Sequence, residues 1–267
     1  MGAITADYLW RRGDARATHD LARNLYDRWR DRLGPDHEYT LMAALILANA
    51  LRDMRRYAEA REVDEDSLAR ERRLHGEDHA NPLAVAGNLA ATLRKLGEVG
   101  AARELDEDTL ERKRRVLGED HISTLISAGN LADDLREVGE WGLARELDED
   151  TLARCRRMFG EDNPDTLAFA DNLAVDLRML GELEAARELG EDTVERCRRV
   201  LGEDHPHTLD SADNLAVCLR ALGEMGAARA LDEATLARRR RVLGEDHPDT
   251  QESARNLAAD LRALGEE

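Results

Sequence analysis

Aromatic residues supply only 3% of this 267-residue chain, and lysine occurs just twice, at Lys95 and Lys113. A core built on large rings is therefore excluded. The abundance of Ala, Leu, Arg, Glu and Asp instead fits helices joined by many small contacts. No apolar run approaches the ~18 residues of a membrane span, and no signal-peptide pattern opens the chain. No membrane partner is expected, and the expected location is cytoplasmic. Cys155, Cys197 and Cys218 form no CxxC pair and leave one thiol over, which also points to a reduced compartment. The net charge is −18, an average field that repels phosphates and removes nucleic acid from the expected partners. No GxxxxGK[ST], GxSxG or HExxH motif occurs, so neither a cofactor nor a catalytic centre is expected.

What the chain has is a period. Gly34, Gly76, Gly118, Gly160, Gly202 and Gly244 fall 42 residues apart, and residues 118–159 match 160–201 at 25 of 42 positions. A fixed period in this range means stacked supersecondary units. Within 118–159, Leu125, Ala128, Leu131, Ala132, Leu135 and Val138 form one apolar stripe at helical spacing. Gly139 then suits a left-handed cap. A second stripe runs through Trp141, Ala144, Leu147, Thr151 and Met158 until Gly160 ends it. Pro164 suits the first turn of the next helix, where Asp165 faces the positive end of the dipole. The loops are short enough to force antiparallel neighbours. Each unit is a helical hairpin, with helix A near 16 residues and helix B near 18. The frame gives a divergent partial repeat at 1–33, full repeats at 34–75, 76–117, 118–159, 160–201 and 202–243, and a half repeat at 244–267. All of it is expected to be one all-α solenoid.

The residues that recur carry a family likeness. The phrase "NLAxxLRxLG", the Gly97-type turn, a bulky residue such as Trp141 two positions later, and Ala102, Ala144, Ala186 and Ala228 resemble a tetratricopeptide repeat. The long second helix and the "LGEDHPxT" linker are similar to the 42-residue variant of kinesin light chains. Similar arrays lie C-terminal to the nucleotide-binding module of bacterial STAND/NB-ARC signalling proteins. The resemblance implies a right-handed superhelix with helix A inside and helix B outside. It departs from kinesin light chains where an aromatic usually follows the helix A leucine, because arginine stands there.

Most repeated polar residues suggest structure. His37, His79, His121, His205 and His247 fall one per repeat, and helices about 8–10 Å apart cannot bring them onto a metal with bonds near 2 Å. They are expected to hydrogen-bond helix starts or loops. His205 and His207 make an HxH pair without a third ligand of fixed position. The "DEDT" and "GED" carboxylates are expected on a solvated outer face, and the cysteines as buried or half-buried thiols.

Two ladders remain. Arg52, Arg94, Arg136, Arg178, Arg220 and Arg262 recur late in helix A. Asn88, Asn130, Asn172, Asn214 and Asn256 recur six residues earlier, with Ile46 breaking that series. The arginines either pair internally with aspartates such as Asp133, Asp134, Asp171 or Asp213, or face a groove. The asparagines either hold the structure or join that groove. With Val175, Met179 and Val217 beside the arginines, the groove would take an extended, acidic segment of a protein or peptide partner. The expected function is thus a non-enzymatic interaction scaffold. Two alternatives stay open: the sensing or autoinhibitory arm of a larger STAND-type NTPase, and an element that stacks end to end. The second arises because 249–264 reads as a helix A with no helix B after it. Leu257, Leu261 and Leu264 then lack their usual cover, as for a fragment of a longer protein or a face that meets another copy.

Overall fold

A computed structural model describes residues 15–265, and among these it contains twelve helices and no strand. They are α1 (Ala15–Leu33), α2 (Glu38–Asp53), α3 (Tyr57–His75), α4 (Ala80–Lys95), α5 (Val99–Leu117) and α6 (Ile122–Glu137). The rest are α7 (Trp141–Phe159), α8 (Pro164–Met179), α9 (Leu183–Val200), α10 (Pro206–Ala221), α11 (Met225–Leu243) and α12 (Pro248–Leu264). Even-numbered helices are the A helices of the repeat and odd-numbered ones the B helices. The partial helix A expected over residues 4–12 lies outside the described residues. The chain divides into two compact units, residues 1–138 with α1–α6 and residues 139–267 with α7–α12.

In each unit every helix packs on the next, as expected of an all-α solenoid of antiparallel hairpins. In the first, α2 also touches α4, and α4 touches α6; in the second, α8 touches α10. Direct contact between successive A helices places them on the tighter side of each unit's curve. The core is small-residue packing, as the composition required. Ala60 and Ala102 in the first unit, and Ala144, Ala186 and Ala228 in the second, are 0–1% exposed. They let the two helices of each hairpin approach closely. Leu47 and Leu51 pack there with Ala22 and Ala60, and Leu215 and Leu219 pack with Val194 and Ala228.

Helix starts are capped by the repeated histidine. His37, His79, His121, His205 and His247 each accept, through Nδ1, the backbone N–H two residues on, at 3.1–3.3 Å. Asn163 makes the same cap with its side-chain oxygen at 2.9 Å. A neutral imidazole thus does the work more often done by Ser, Asp or Asn. The buried threonines bond backwards as expected at Thr151 and Thr193, each donating to a carbonyl one turn earlier at 2.8 Å.

Helix A ends on a left-handed residue: Gly97, Gly139, Gly181 and Gly223 have φ between +79° and +83°. In the repeat 34–75 the same place holds Arg55, at φ +58° and exposed to solvent. A side chain in this conformation costs about 1–2 kcal/mol that glycine avoids. Arg55→Gly is therefore expected to stabilise the chain by about 1 kcal/mol, read as a higher urea-unfolding midpoint.

Candidate functional site

The arginine ladder is mostly closed on itself. Two positions govern each member: a helix B residue 12 places later, and a residue of the next helix A 40 places later. Arg52 donates from Nη1 to Asp64 at 3.0 Å and to the Thr92 hydroxyl at 3.1 Å. Arg94 meets Asp134 at 2.6 Å, Asp133 at 2.7 Å and Asp106 at 3.7 Å. Arg220 meets Asp232 at 2.6 Å and Asp260 at 3.0 Å. These aspartate side chains, Asp133 apart, are at most 2% exposed, so the pairs are fastened inside the hairpins. Arg136 bonds Asp133 on its own helix, and Arg262 lies exposed on α12. The expectation of a row open to a ligand is thus corrected at Arg52, Arg94 and Arg220. Helix B supplies an aspartate that the row itself does not reveal.

Crowded carboxylates pay in proton affinity. Burial, aided by Asp134, pushes Asp106 up to about 8. Burial likewise pushes Asp232 to about 6, with Asp260 adding to the rise and Arg220 opposing it.

Arg178 is different. Its two governing positions hold Gly190 and Cys218, and among the described residues no carboxylate forms an ion pair with it. The missing side chains leave a notch lined by Arg178, Asp171, Val175, Gly190, Asn214 and Cys218, among others. Its cavity is only about 10 Å³, room for about one water. It can therefore take a small charged group presented from the open side. Cys218 is buried, and its thiol is pushed up by that burial.

The asparagine ladder behaves in the opposite way. Asn88, Asn130, Asn172 and Asn256 are half-buried and Asn214 is exposed. None of their side-chain amides hydrogen-bonds within the described residues. Mid-helix backbone is already paired, so these amides have nothing local to hold. Val175 and Val217 are half-buried and Met179 is 43% exposed.

Beside the notch the structure brings Asp171 and Cys197 to His207, the donors that the HxH reading lacked. Their ligand atoms lie within 4.8 Å of one another. His207 Nε2 is 2.9 Å from Asp171, and Ser211 donates to the same carboxylate oxygen. Cys197 Sγ lies 3.7 Å from Ser211 Oγ. The hydrogen bond to Asp171 raises the His207 pKa, and burial raises that of Cys197. The order is wrong for nucleophile activation, since Asp171 rather than His207 receives the serine proton. Cys197, Asp171 and His207 are nevertheless the donors that could hold a metal.

In the first unit, a larger cleft of about 350 Å³ lies between α2, α3 and α4. Glu71 and His75 line it, and neither was singled out from sequence; their signal is that the equivalent places elsewhere hold Lys, Cys or Arg and Leu or Phe. The "GED" aspartates are not merely solvated. Asp36, Asp78, Asp162 and Asp204 each bridge two arginines at the end of the same repeat's helix B. On α12, Leu257 and Leu261 are half-buried and Leu264 is 37% exposed.

Family models described as tetratricopeptide repeat match residues 39–115, 83–157, 166–207 and 208–249. No curated protein matches. Among solved structures, a Podosopora anserina protein assigned as a kinesin light chain, with nearly identical TPR-like repeats, is 26% identical. That match covers 86% of this chain and 97% of the other, at a TM-score of 0.58. BtubC (BKLC) from P. vanneervenii is 19% identical over 90% of this chain and 94% of its own, with a TM-score of 0.65. The quorum sensor NprR from B. thuringiensis, in its apo form, is 14% identical over 100% of this chain and 70% of its own, with a TM-score of 0.70. NprR has also been solved with its cognate peptide NprX.

Proposed function

The chain belongs to the tetratricopeptide repeat family, in its kinesin-light-chain-like form, and from that premise we propose a non-enzymatic scaffold that holds an acidic segment of a partner chain at Arg178. The family match and the sensor neighbours mark it as a protein-interaction or sensor repeat domain. One observation carries the finer reading: the ladder's carboxylates are supplied in cis at Arg52, Arg94 and Arg220, and are missing at Arg178. A partner's aspartate, glutamate or C-terminal carboxylate supplies in trans what Gly190 and Cys218 omit. Asn172 and Asn214 offer free amides to the segment's backbone, and Val175, Met179 and Val217 offer apolar contact. The peptide complex of NprR shows that a neighbour of this fold takes such ligands.

The test restores the missing carboxylate. A Cβ at Gly190 would sit 3.3 Å from Leu215 Cδ1, so Gly190→Asp asks only a small shift of that side chain. A fluorescent peptide alternating glutamate and leucine is expected to bind the wild-type chain. Gly190→Asp and Arg178→Glu are each expected to weaken it at least about tenfold, the value of a charge-assisted hydrogen bond. A glutamine–leucine peptide is the neutral control. Undiminished binding to folded Gly190→Asp would refute the assignment.

A further inference from the structure

One helix B position meets the next repeat's helix A throughout the chain, and its occupant changes: Glu71, Lys113, Cys155, Cys197, Arg239. At two joints it sends a cation across. Lys113 Nζ donates to Ser127 Oγ at 2.8 Å and to the Ser123 carbonyl at 3.2 Å. Arg239 donates to Ser253 Oγ at 2.9 Å and to Asp213 at 2.7 Å. Both cations are nearly buried, at 4% exposure.

Glu71 reverses the sign and finds no partner. The residue is 5% exposed, and its Oε2 is buried without a hydrogen bond. The nearest donor is His75 Nε2 at 3.4 Å, longer than an ordinary hydrogen bond. Where the other two joints place serine, this one places Val85, and where Arg239 finds Asp213, it has Leu45. A buried carboxylate without a donor is costly. It also lines the 350 Å³ cleft, whose walls include Leu41, Leu45, Leu74 and Val85. That volume falls within the usual range of ligand sites, about 300–1,000 Å³. Asp36 and Glu38 line it too, so the local charge is negative.

We propose that this cleft binds an organic cation: a primary ammonium on a short aliphatic chain, with the ammonium on the Glu71 carboxylate and the chain along the leucines. The occupant is shaped like the Lys113 side chain, which fills the equivalent joint from within. The cation comes either from a free alkylamine or from a lysine of a partner protein. The site lies in the first unit, so its failure leaves the Arg178 reading standing.

Calorimetric titration of the full chain with butylamine, pentylamine and hexylamine tests it. Affinity is expected to rise about fourfold per added methylene, the value of burying one CH₂. Hexan-1-ol is expected to bind at least about tenfold more weakly than hexylamine, for want of the charge-assisted bond. Glu71→Gln, which keeps shape and removes charge, is expected to erase that discrimination; Glu71→Met is the second variant should the first unfold. Equal binding of amine and alcohol, unchanged amine binding by Glu71→Gln, or no amine binding would overturn the proposal. A lysine blocked at both ends is the last arm. Tighter binding than hexylamine assigns the cation to a partner chain, and weaker binding assigns it to a free amine.

Discussion

Arg94→Ala is expected to cost about 3–5 kcal/mol, while Arg178→Ala, the same repeat position two units on, is expected to change stability by no more than about 1 kcal/mol. Both arginines sit at one place in the NLAxxLRxLG phrase, so helix propensity and local packing largely cancel in the comparison. The difference is what each leaves behind. Removing Arg94 strands Asp106 and Asp134, whose side chains are fully buried, and forces Asp134 either to take a proton or to stay charged without a counter-ion. Removing Arg178 strands no carboxylate, because Gly190 and Cys218 stand in those positions, and only the packing of its stem is lost. Urea-unfolding midpoints of the two variants at pH 7 check this. Equal losses would mean that the ladder acts through something other than its aspartates, and Arg178 would no longer stand apart.

The hairpins were legible because their causes are local. The glycine after each helix has a positive φ that the spacing alone announces, and the apolar stripes at Leu125–Leu135 or Leu167–Leu177 need only a helical period. The histidine caps were nearly legible: one per repeat, just before a proline or polar residue, is what a helix start looks like. The ladders were harder, because their partners are 12 and 40 residues away and on other helices. Asp64, Asp106 and Asp232 lie within the "DED" and "LDE" phrases that composition alone assigns to a solvated face, yet they point inward to the arginines. Once that offset is known, Gly190 and Cys218 stand out in the sequence as the two departures that leave Arg178 alone. Glu71 is of the same kind. Its meaning depends on what lies 14 residues later, at Val85, and no single-helix pattern contains that relation. The asparagines erred in the other direction: regularity suggested a structural bond, but a residue in the middle of a paired helix has no open backbone group within reach.

Asp106 gives the chain an unusual dependence on pH. Its native pKa is pushed up to about 8, first by burial and then by the Asp134 carboxylate, against the opposing pull of Arg94 and Lys113. In the unfolded chain the same group titrates near 3.9. Between these values the folded state holds a proton that the unfolded state has released, so stability falls as pH rises through this window and the loss is complete above about 8. The slope is at most about 1.4 kcal/mol per pH unit, and the part due to Asp106 between pH 5 and 7 is of order 2 kcal/mol. Asp64 and Asp232, raised by burial in the same way, act with the same sign. The lowered Asp36, Asp162 and Asp204 change charge only in acid, where they play no part in this window. Asp106→Asn keeps the shape of the protonated carboxyl and removes its titration. Urea unfolding at pH 5, 6, 7 and 8 is therefore expected to show wild type and variant converging in acid and parting as pH rises, with the variant the more stable at pH 8. Parallel curves, or a variant that weakens as pH rises, would show that Asp106 is charged in the folded chain, and the shared proton between Asp106 and Asp134 would have to be abandoned.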